Sequence, residues 1–461
     1  MKEKNASFLL NQKNKLETVL FYSLLLLLPT QLGKHFWPDF SFVKGIPVDY
    51  LSPTLYLTDI ILLLLFAVWF LNRVRQRLQR VQFPAKDKKI IPKSFLFYFF
   101  FCLYLISSSV FSDRPVGSLY SVGKFVEMSF LVYYVSREIR VQQVLSSLVV
   151  LCIGAIGESL LALGQFLNQG SIGGIFYFLG ERSFTSSTPG IANVAINGEL
   201  LMRPYGTFPH PNVLAGYLLI VLIMTLFLFR QFFHRWQQSI GVIVLLLGTG
   251  SLLLTLSRVA IVVWFLVLAA GFIITQQRVF VWLKNTSIRA VLSLCILGGG
   301  IVVILASPLG TRLMQTSFTE EALVQREILI NSTIEISKAT PLFGVGPGNF
   351  LPALATVQQP LSLGLYMQPV HNILLLVFSE LGLVGFSFFF IYLLQTYRRL
   401  LKWYHLGNSD QLFPLILFLV LSAILFLGSF DHYWLTIQQG QLLFAFVLGL
   451  SWITIPLKSK L

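Results

Sequence analysis

The chain is poor in charge. Only 11% of its 461 residues are Asp, Glu, Lys or Arg, whereas 55% are hydrophobic, and the mean hydropathy is +0.75. A soluble protein of this length needs far more polar surface. The composition therefore excludes a soluble domain and indicates an integral membrane protein.

Cysteine is scarce as well, and the usual metal and nucleotide motifs are missing. Cys102, Cys152 and Cys295 all lie within apolar runs, so neither a disulfide framework nor a thiolate metal site is predicted. The predicted outward loops contain no DxD pair, and the chain has no His/Cys cluster with ligand spacing, no GxxxxGK[ST] loop and no dinucleotide fingerprint. These absences predict a site without metal or cofactor and argue against nucleotide hydrolysis.

Long apolar runs are abundant. A helix needs about 20 apolar residues to cross a membrane. The runs predict an all-α polytopic membrane protein with about 12 transmembrane helices, forming a single membrane domain over residues 1–461. The predicted spans are 18–33, 51–71, 94–111, 117–136, 143–167, 212–230, 239–256, 258–276, 288–307, 371–397, 411–428 and 438–457.

Basic residues outnumber acidic ones by 34 to 19, and their positions predict the orientation. Most of them fall on one side of the predicted spans, as in the cluster from Arg73 to Lys93. The positive-inside rule places that side, and both termini, in the cytoplasm. The excess of positive charge is thus explained without a nucleic-acid partner.

Two long loops then face outward, at 168–211 and at 308–370 between the ninth and tenth spans. The second loop is predicted to contain a surface helix from Glu320 to Lys338, with Thr319 as its N-cap and Pro341 just beyond its end. A glycine-rich stretch, LFGVGPGNF, follows this helix and returns the chain toward the membrane.

Three arginines lie on the predicted outward side, against the general trend. Arg203 belongs to RPYGTFPHPN, Arg258 follows Ser257 between two spans, and Arg326 lies on the surface helix. An arginine at the membrane boundary is costly unless it faces a partner or a polar cavity. Each has an ordinary interpretation too: a stiff re-entry loop, snorkelling to the headgroups, or simple solvation. Together, however, they predict a site for phosphate oxygens, which guanidinium groups bind bidentately.

Other polar residues have open roles. His210 lies between two prolines, and Asn212 is predicted to cap the sixth span. Asp431-His432 forms a polar pair in the last outward loop.

Ionisable residues within the predicted spans include Asp59, Lys124, Glu127 and Glu158. Lys124 and Glu127 are three residues apart, so we expect them to share a helix face and neutralise each other. Glu158 lies deep in the fifth span and is interpreted either as a structural hydrogen-bond partner or as a proton site.

His371-Asn372 opens a long apolar run that ends in Gly382 and Gly385. This spacing is similar to the HNx9GxxG signature of the O-antigen ligase and polymerase superfamily of bacterial envelope glycosyltransferases. The order of RPYGTFPHPN, Ser257-Arg258, Arg326 and LFGVGPGNF also resembles that family, from about Arg203 to Gly385.

The resemblance implies transfer of a glycan from an undecaprenyl diphosphate carrier to an acceptor hydroxyl on the outer face of the bacterial plasma membrane. The acceptor would be lipid A-core, another lipid-linked repeat or a protein.

The resemblance also implies roles for single residues. Arg258 and Arg326 would engage the diphosphate, and His371 would orient or deprotonate the acceptor, so these three are the predicted catalytic residues. The predicted substrate-binding residues are Arg203, His210, Asn212 and Asn372.

These features predict a metal-independent, inverting transferase of lipid-linked glycans. The alternative is a flippase for lipid-linked oligosaccharides, or another multi-span transporter, that uses Lys124, Glu127 and Glu158 inside the bundle. Transporters usually carry internal repeats and bind near the midplane, whereas the unusual polar residues here gather on one predicted face.

Overall fold

The structure, a computed structural model, describes residues 15–80, 93–196, 199–228, 234–276, 321–358, 367–406 and 412–453. The described part of the chain is mostly helical, as predicted. In chain order its α-helices are α1 Lys15–Leu26, α2 Leu57–Arg80, α3 Lys93–Val110, α4 Pro115–Glu138, α5 Val141–Asn168, α6 Pro211–Leu228, α7 Arg235–Leu254, α8 Arg258–Gln276, α9 Glu321–Ala339, α10 Phe350–Val357, α11 Ile373–His405, α12 Leu412–Gly428, α13 Tyr433–Thr436 and α14 Gln438–Ser451.

A helix overlaps each predicted span that falls within these ranges, while the ninth predicted span, 288–307, lies outside the described residues. Among the described residues, four helical stretches are long and apolar enough to cross a membrane: Leu57–Leu78, Gln143–Asn168, Arg235–Leu254 and Ile373–His405. Shorter apolar helices occur at Phe97–Val110, Pro211–Leu226, Arg258–Ala269 and Leu412–Gly428. The apolar runs found in the sequence are therefore helices of an integral membrane protein.

The described residues also form three short antiparallel strand pairs, two of them hairpins, which were not predicted. The strands are β1 Gly33–His35, β2 Phe42–Val43, β3 Ile46–Pro47, β4 Thr54–Tyr56, β5 Asn193–Ile196 and β6 Glu199–Met202. β1 pairs with β4, β2 with β3, and β5 with β6. Strands this short carry no extended alternating pattern, which is why hydropathy did not reveal them.

Helix α6 forms the centre of the largest core. Its residues from Leu218 to Met224 are fully buried, and it packs against α5, α7, α8, α12 and α14. A helix that is apolar on all sides has no polar face to leave in contact with solvent, so it occupies the middle of the bundle.

The predicted pair Lys124 and Glu127 is confirmed and has a third member. The Lys124 ammonium lies 2.9 Å from a Glu127 oxygen and 2.7 Å from an oxygen of Asp59 on α2. Gln438 at the start of α14 also donates to Asp59. An intramembrane charge is costly unless it is paired, so this network ties α2, α4 and α14 together.

The helix predicted in the second long loop is also present, as α9. Arg326 is half-buried on it, and Leu329, one turn further along, is fully buried. Its predicted N-cap, Thr319, lies outside the described residues. The helix ends just before Pro341, as predicted.

The glycine-rich stretch after α9 fits into a break in α11. At Gly382 the backbone of α11 leaves the helical conformation, with φ of 58°. The carbonyls of Ser379 and Glu380 there accept hydrogen bonds from the N–H groups of Val345 and Gly346, at 3.1 and 2.8 Å. The turn thus satisfies backbone groups that the break would otherwise leave unpaired in an apolar environment.

Close contacts explain why positions 382 and 385 of the HNx9GxxG pattern hold glycine. A Cβ on Gly382 would lie 2.4 Å from the backbone of Leu342, and a Cβ on Gly385 would lie 2.8 Å from the ring of Tyr104. The pattern therefore encodes close packing of a turn and of α3 against α11.

We expect Gly382→Ala to destabilise the protein by at least about 1 kcal/mol, because the left-handed backbone penalises a side chain even without the clash. The measurement is the fraction of detergent-solubilised protein that stays monodisperse after heating. Gly250→Ala is the matched control, since a Cβ on Gly250 meets nothing within 4 Å. Equal thermal stability of the two variants would contradict this account of the break.

Candidate active site

The motif RPYGTFPHPN is clamped onto α5 by two buried side chains. Glu158 accepts hydrogen bonds from the backbone N–H and the hydroxyl of Thr207, at 2.8 and 2.7 Å. Gln165 accepts from the N–H groups of Tyr205 and Gly206, at 2.9 and 2.8 Å. Of the two roles considered for Glu158, a structural hydrogen-bond partner or a proton site, these contacts show the structural one.

The clamp presents Arg203 to two neighbouring groups. Its Nε donates to the carbonyl oxygen of Thr255 at 2.6 Å, and its Nη2 donates to Oδ1 of Asn212 at 2.8 Å. Thr255 lies three residues before Arg258, the first residue of α8. The hydrogen bond therefore connects two of the predicted phosphate-binding arginines through a short piece of backbone.

The expectation that Asn212 caps its helix was wrong. Helix α6 begins at Pro211, and Nδ1 of His210 accepts the N–H of Asn212 at 3.1 Å. His210 thus takes the capping role. The side chain of Asn212 is instead free to bridge Arg203 and Asp431, donating from Nδ2 to Oδ2 of Asp431 at 3.0 Å.

Asp431 and His432 come from the loop between α12 and α13 and lie beside His371. The His432 ring packs edge-on against the His371 ring, with 5.2 Å between centroids. Its Nδ1 lies 2.6 Å from the hydroxyl of Thr436. The ring of Tyr50, from the segment between α1 and α2, lies edge-to-face with the same ring, with 5.4 Å between centroids.

Asn372 fixes the chain next to His371. It is the N-cap of α11: its side-chain oxygen accepts from the N–H groups of Leu374 and Leu375, at 2.9 and 3.1 Å. Its Nδ2 donates to the carbonyl of Ser429 at 3.2 Å. This geometry favours a positioning role for Asn372 over the predicted contact with substrate.

The histidines in this cluster are held in their neutral forms. Burial lowers the pKa of His210 to about 3 and that of His432 to about 4. Burial also lowers the pKa of His371; the charge of Arg326 acts in the same direction and that of Asp431 in the opposite one. A neutral imidazole has a lone pair for a proton. Nδ1 of His371 is buried and has no hydrogen-bond partner among the described residues.

Asp431 is the anion of the cluster. Burial opposes its ionisation, but its pKa is lowered by the neighbouring imidazoles whenever they carry a proton and by the hydrogen bond from the amide of Asn212. The carboxylate is therefore placed to stabilise an imidazolium that forms at His371.

The structure thus brings together most of the predicted site residues. Arg203, His210 and Asn212 join His371 through Asp431 and His432, and the charge of Arg326 reaches both His371 and His432.

Sequence reasoning left Asp431 without a role and did not select His432, Thr436 or Tyr50. These residues lie far along the chain from His371. The signal in the sequence was the polar pair Asp431-His432, which stands out in a predicted outward loop.

One set of side chains in the described part of the chain has metal-ligand character. Donor atoms of His371, Asp431 and His432 lie within 4.8 Å of one another. Two histidines and a carboxylate are a donor set that zinc accepts. The positive charge of Arg326, which acts on both histidines, opposes a divalent cation at this position.

We therefore expect protein purified without a chelator to hold no stoichiometric zinc by elemental analysis. One zinc per chain that is lost in His432→Ala, yet kept in the control His405→Ala, would establish a metal centre and overturn the prediction of a metal-free site.

These features define a multi-span membrane protein with a half-buried Arg/Asn/Asp/His cluster at one end of its bundle. Residues 242–390 match the family model described as O-Antigen ligase. The match contains Arg258, Arg326, His371, Gly382 and Gly385, and it confirms the resemblance of this part of the chain to the O-antigen ligase superfamily. No curated protein matches the chain.

Proposed function

We propose that the protein is a glycosyltransferase of the O-antigen ligase type. It transfers a glycan from an undecaprenyl diphosphate carrier to an acceptor hydroxyl on the outer face of the bacterial plasma membrane, with both termini in the cytoplasm. The observation that supports this most is the bridge from Arg203 through Asn212 to Asp431. It places the guanidinium group of Arg203 near the carboxylate that lies beside His371, the proposed proton acceptor. The family match over residues 242–390 supports the same reaction class.

The donor diphosphate is the group that the arginines recognise. In the transfer, the bond between the anomeric carbon and the diphosphate oxygen breaks, and its electron pair leaves with the diphosphate. Arg258 and Arg326, supported by Arg203, stabilise the growing negative charge. Because this charge is larger in the transition state than in the bound donor, fixed guanidinium groups lower the barrier. This assignment makes the reaction metal-independent.

His371 acts on the acceptor. The acceptor oxygen attacks the anomeric carbon from the face opposite the diphosphate, so the configuration inverts, and its proton passes to the neutral imidazole of His371. Asp431 then stabilises the imidazolium. Asn372 and Asn212 hold the two halves of this arrangement in place.

The first test replaces the proposed catalytic residues one at a time with alanine. We expect His371→Ala, Arg258→Ala and Arg326→Ala each to lower transfer by about 10²-fold or more, which is typical for loss of a general base or of an electrostatic donor. The assay follows release of undecaprenyl diphosphate from a purified donor by protein in lipid nanodiscs.

Arg398→Ala and His405→Ala are the matched controls, since both residues lie at the far end of α11. Full transfer by all three catalytic variants, at normal protein levels, would refute the assignment. Movement of the lipid across the membrane without release of diphosphate would support the flippase instead.

A second test uses pH. Transfer requires neutral His371, whose pKa is lowered by burial and by Arg326, so kcat/KM should fall only below the usual histidine value of about 6.5. Removing the charge in Arg326→Gln raises that pKa, and the acidic limb should move to higher pH in the residual activity. Asp431→Asn should move it to lower pH. Limbs that coincide in all three proteins would rule out His371 as the base.

A further inference from the structure

A large cavity adjoins the candidate active site. It has a volume of about 1810 Å³ and lies among four helices that pack on one another in a ring: α3 on α4, α4 on α14, α14 on α11, and α11 on α3. None of the arginines of the candidate site, Arg203, Arg258 or Arg326, is among its lining residues.

The wall of the cavity is largely hydrocarbon along its length. Along α11 the lining extends from Leu376 to Arg399, which corresponds to roughly 35 Å of helix, similar to the hydrocarbon thickness of a bilayer, about 30 Å. Typical lining residues are Phe101, Met128, Val132, Phe389, Phe444 and Leu448.

Two ionisable groups of this wall are bonded to neighbours, and others, among them Arg137 and Arg182, also line it. Lys124 is neutralised by Asp59 and Glu127. At the far end, Arg399 donates to the carbonyls of Ser451 and Ile453, at 3.2 and 2.8 Å. The cavity therefore resembles a mainly apolar tunnel, with Arg137 and Arg399 at its far end.

The other end opens beside the histidines. Tyr50 and Thr436 both line the cavity and both contact His432. Pro209, next to His210, and Pro369, two residues before His371, line the cavity too. The His371/His432 pair thus lies between the cavity and the Asn212 bridge to Arg203.

We propose that this cavity holds the hydrocarbon chain of a lipid-linked acceptor, a single long polyprenyl-type chain that carries the glycan with the attacking hydroxyl. The inference rests on the proposed function. In an inverting transfer the acceptor approaches opposite the leaving diphosphate. The arginines hold the diphosphate on one side of His371, so the acceptor comes from the cavity side. A ring of four mutually packed helices encloses one elongated hydrocarbon chain better than several splayed hydrocarbon chains.

Burial of a hydrocarbon chain contributes about 0.8 kcal/mol for each CH₂ group moved from water, although a chain already in the bilayer gains far less. The expected contribution of the cavity is therefore positional: it places the acceptor glycan beside His371. A soluble glycan lacks this pre-alignment, so the effective molarity of its acceptor hydroxyl at His371 is lower.

The experiment uses nanodisc-embedded protein and one donor, an undecaprenyl diphosphate glycan. The acceptor is the same glycan, supplied either on a polyprenyl diphosphate or as a soluble methyl glycoside. We expect kcat/KM for the lipid-linked acceptor to exceed that for the glycoside by at least about 10²-fold. Equal values would overturn the proposal, and so would transfer to a protein hydroxyl at the rate of the lipid-linked acceptor.

Two substitutions fill the cavity from α14. Ala445→Phe and Leu448→Trp should raise KM for the lipid-linked acceptor about tenfold or more, while hydrolysis of the donor by water continues at the wild-type rate. Leu383→Trp is the matched control, because Leu383 is 51% exposed and does not line the cavity. An unchanged KM in both filled variants would also overturn the proposal.

A binding measurement separates this inference from the proposed function. A fluorescent polyprenyl phosphate should bind wild-type protein and Arg258→Ala alike, and should lose this binding in Ala445→Phe and Leu448→Trp. If wild-type protein binds the chain but never releases undecaprenyl diphosphate from the donor, the proposed reaction fails while the cavity keeps its ligand class. If the filled variants bind the chain as wild type does, the cavity assignment fails whatever the activity.

Discussion

The site depends on the two hydrogen bonds that the amide of Asn212 makes in opposite directions. Its oxygen accepts from Arg203 and its nitrogen donates to Asp431. An amide is suited to this position because it is neutral and offers both an acceptor and a donor. A direct ion pair would neutralise the arginine and the carboxylate against each other. The bridge keeps the two charges apart, so the arginine and the carboxylate do not neutralise each other directly.

Holding such a charged cluster at the end of an apolar bundle requires a rigid backbone around it, since unpaired buried polar groups are costly. Three separate devices provide this rigidity. Glu158 and Gln165 clamp the segment before α6, Asn372 caps α11, and the glycine-rich turn fills the break in α11. Each device satisfies backbone N–H or C=O groups with a partner from another part of the chain, so the histidine and the arginines are positioned by hydrogen bonds rather than by apolar packing alone.

The sequence was informative where physics acts locally. Hydropathy predicted helices wherever the described residues allow a check, and the spacing of Lys124 and Glu127 predicted their pairing. It was much less informative about contacts between distant segments. Asp59 completes the Lys124 network from another helix, and Asp431 joins Asn212 across 219 positions of the chain. No local pattern specifies such contacts. The error at Asn212 has the same origin: a polar residue at a helix start is usually a cap, but here a tertiary partner claims its side chain and His210 takes the cap.

The position of the cluster between two different environments gives the strongest constraint on the chemistry. On one side lie guanidinium groups, which suit a diphosphate, and on the other lies a tunnel of aromatic and aliphatic side chains, which suits a hydrocarbon. A transferase that joins two lipid-borne substrates needs this separation, because two polyprenyl chains with similar affinity for one groove would compete and leave donor and acceptor unaligned. Besides burial, Arg326 lowers the pKa of His371. Under the proposed function, a bound diphosphate neutralises Arg326 and so raises the basicity of His371 when the acceptor proton must move. The same charge that holds the diphosphate thus couples deprotonation of the acceptor to binding of the donor.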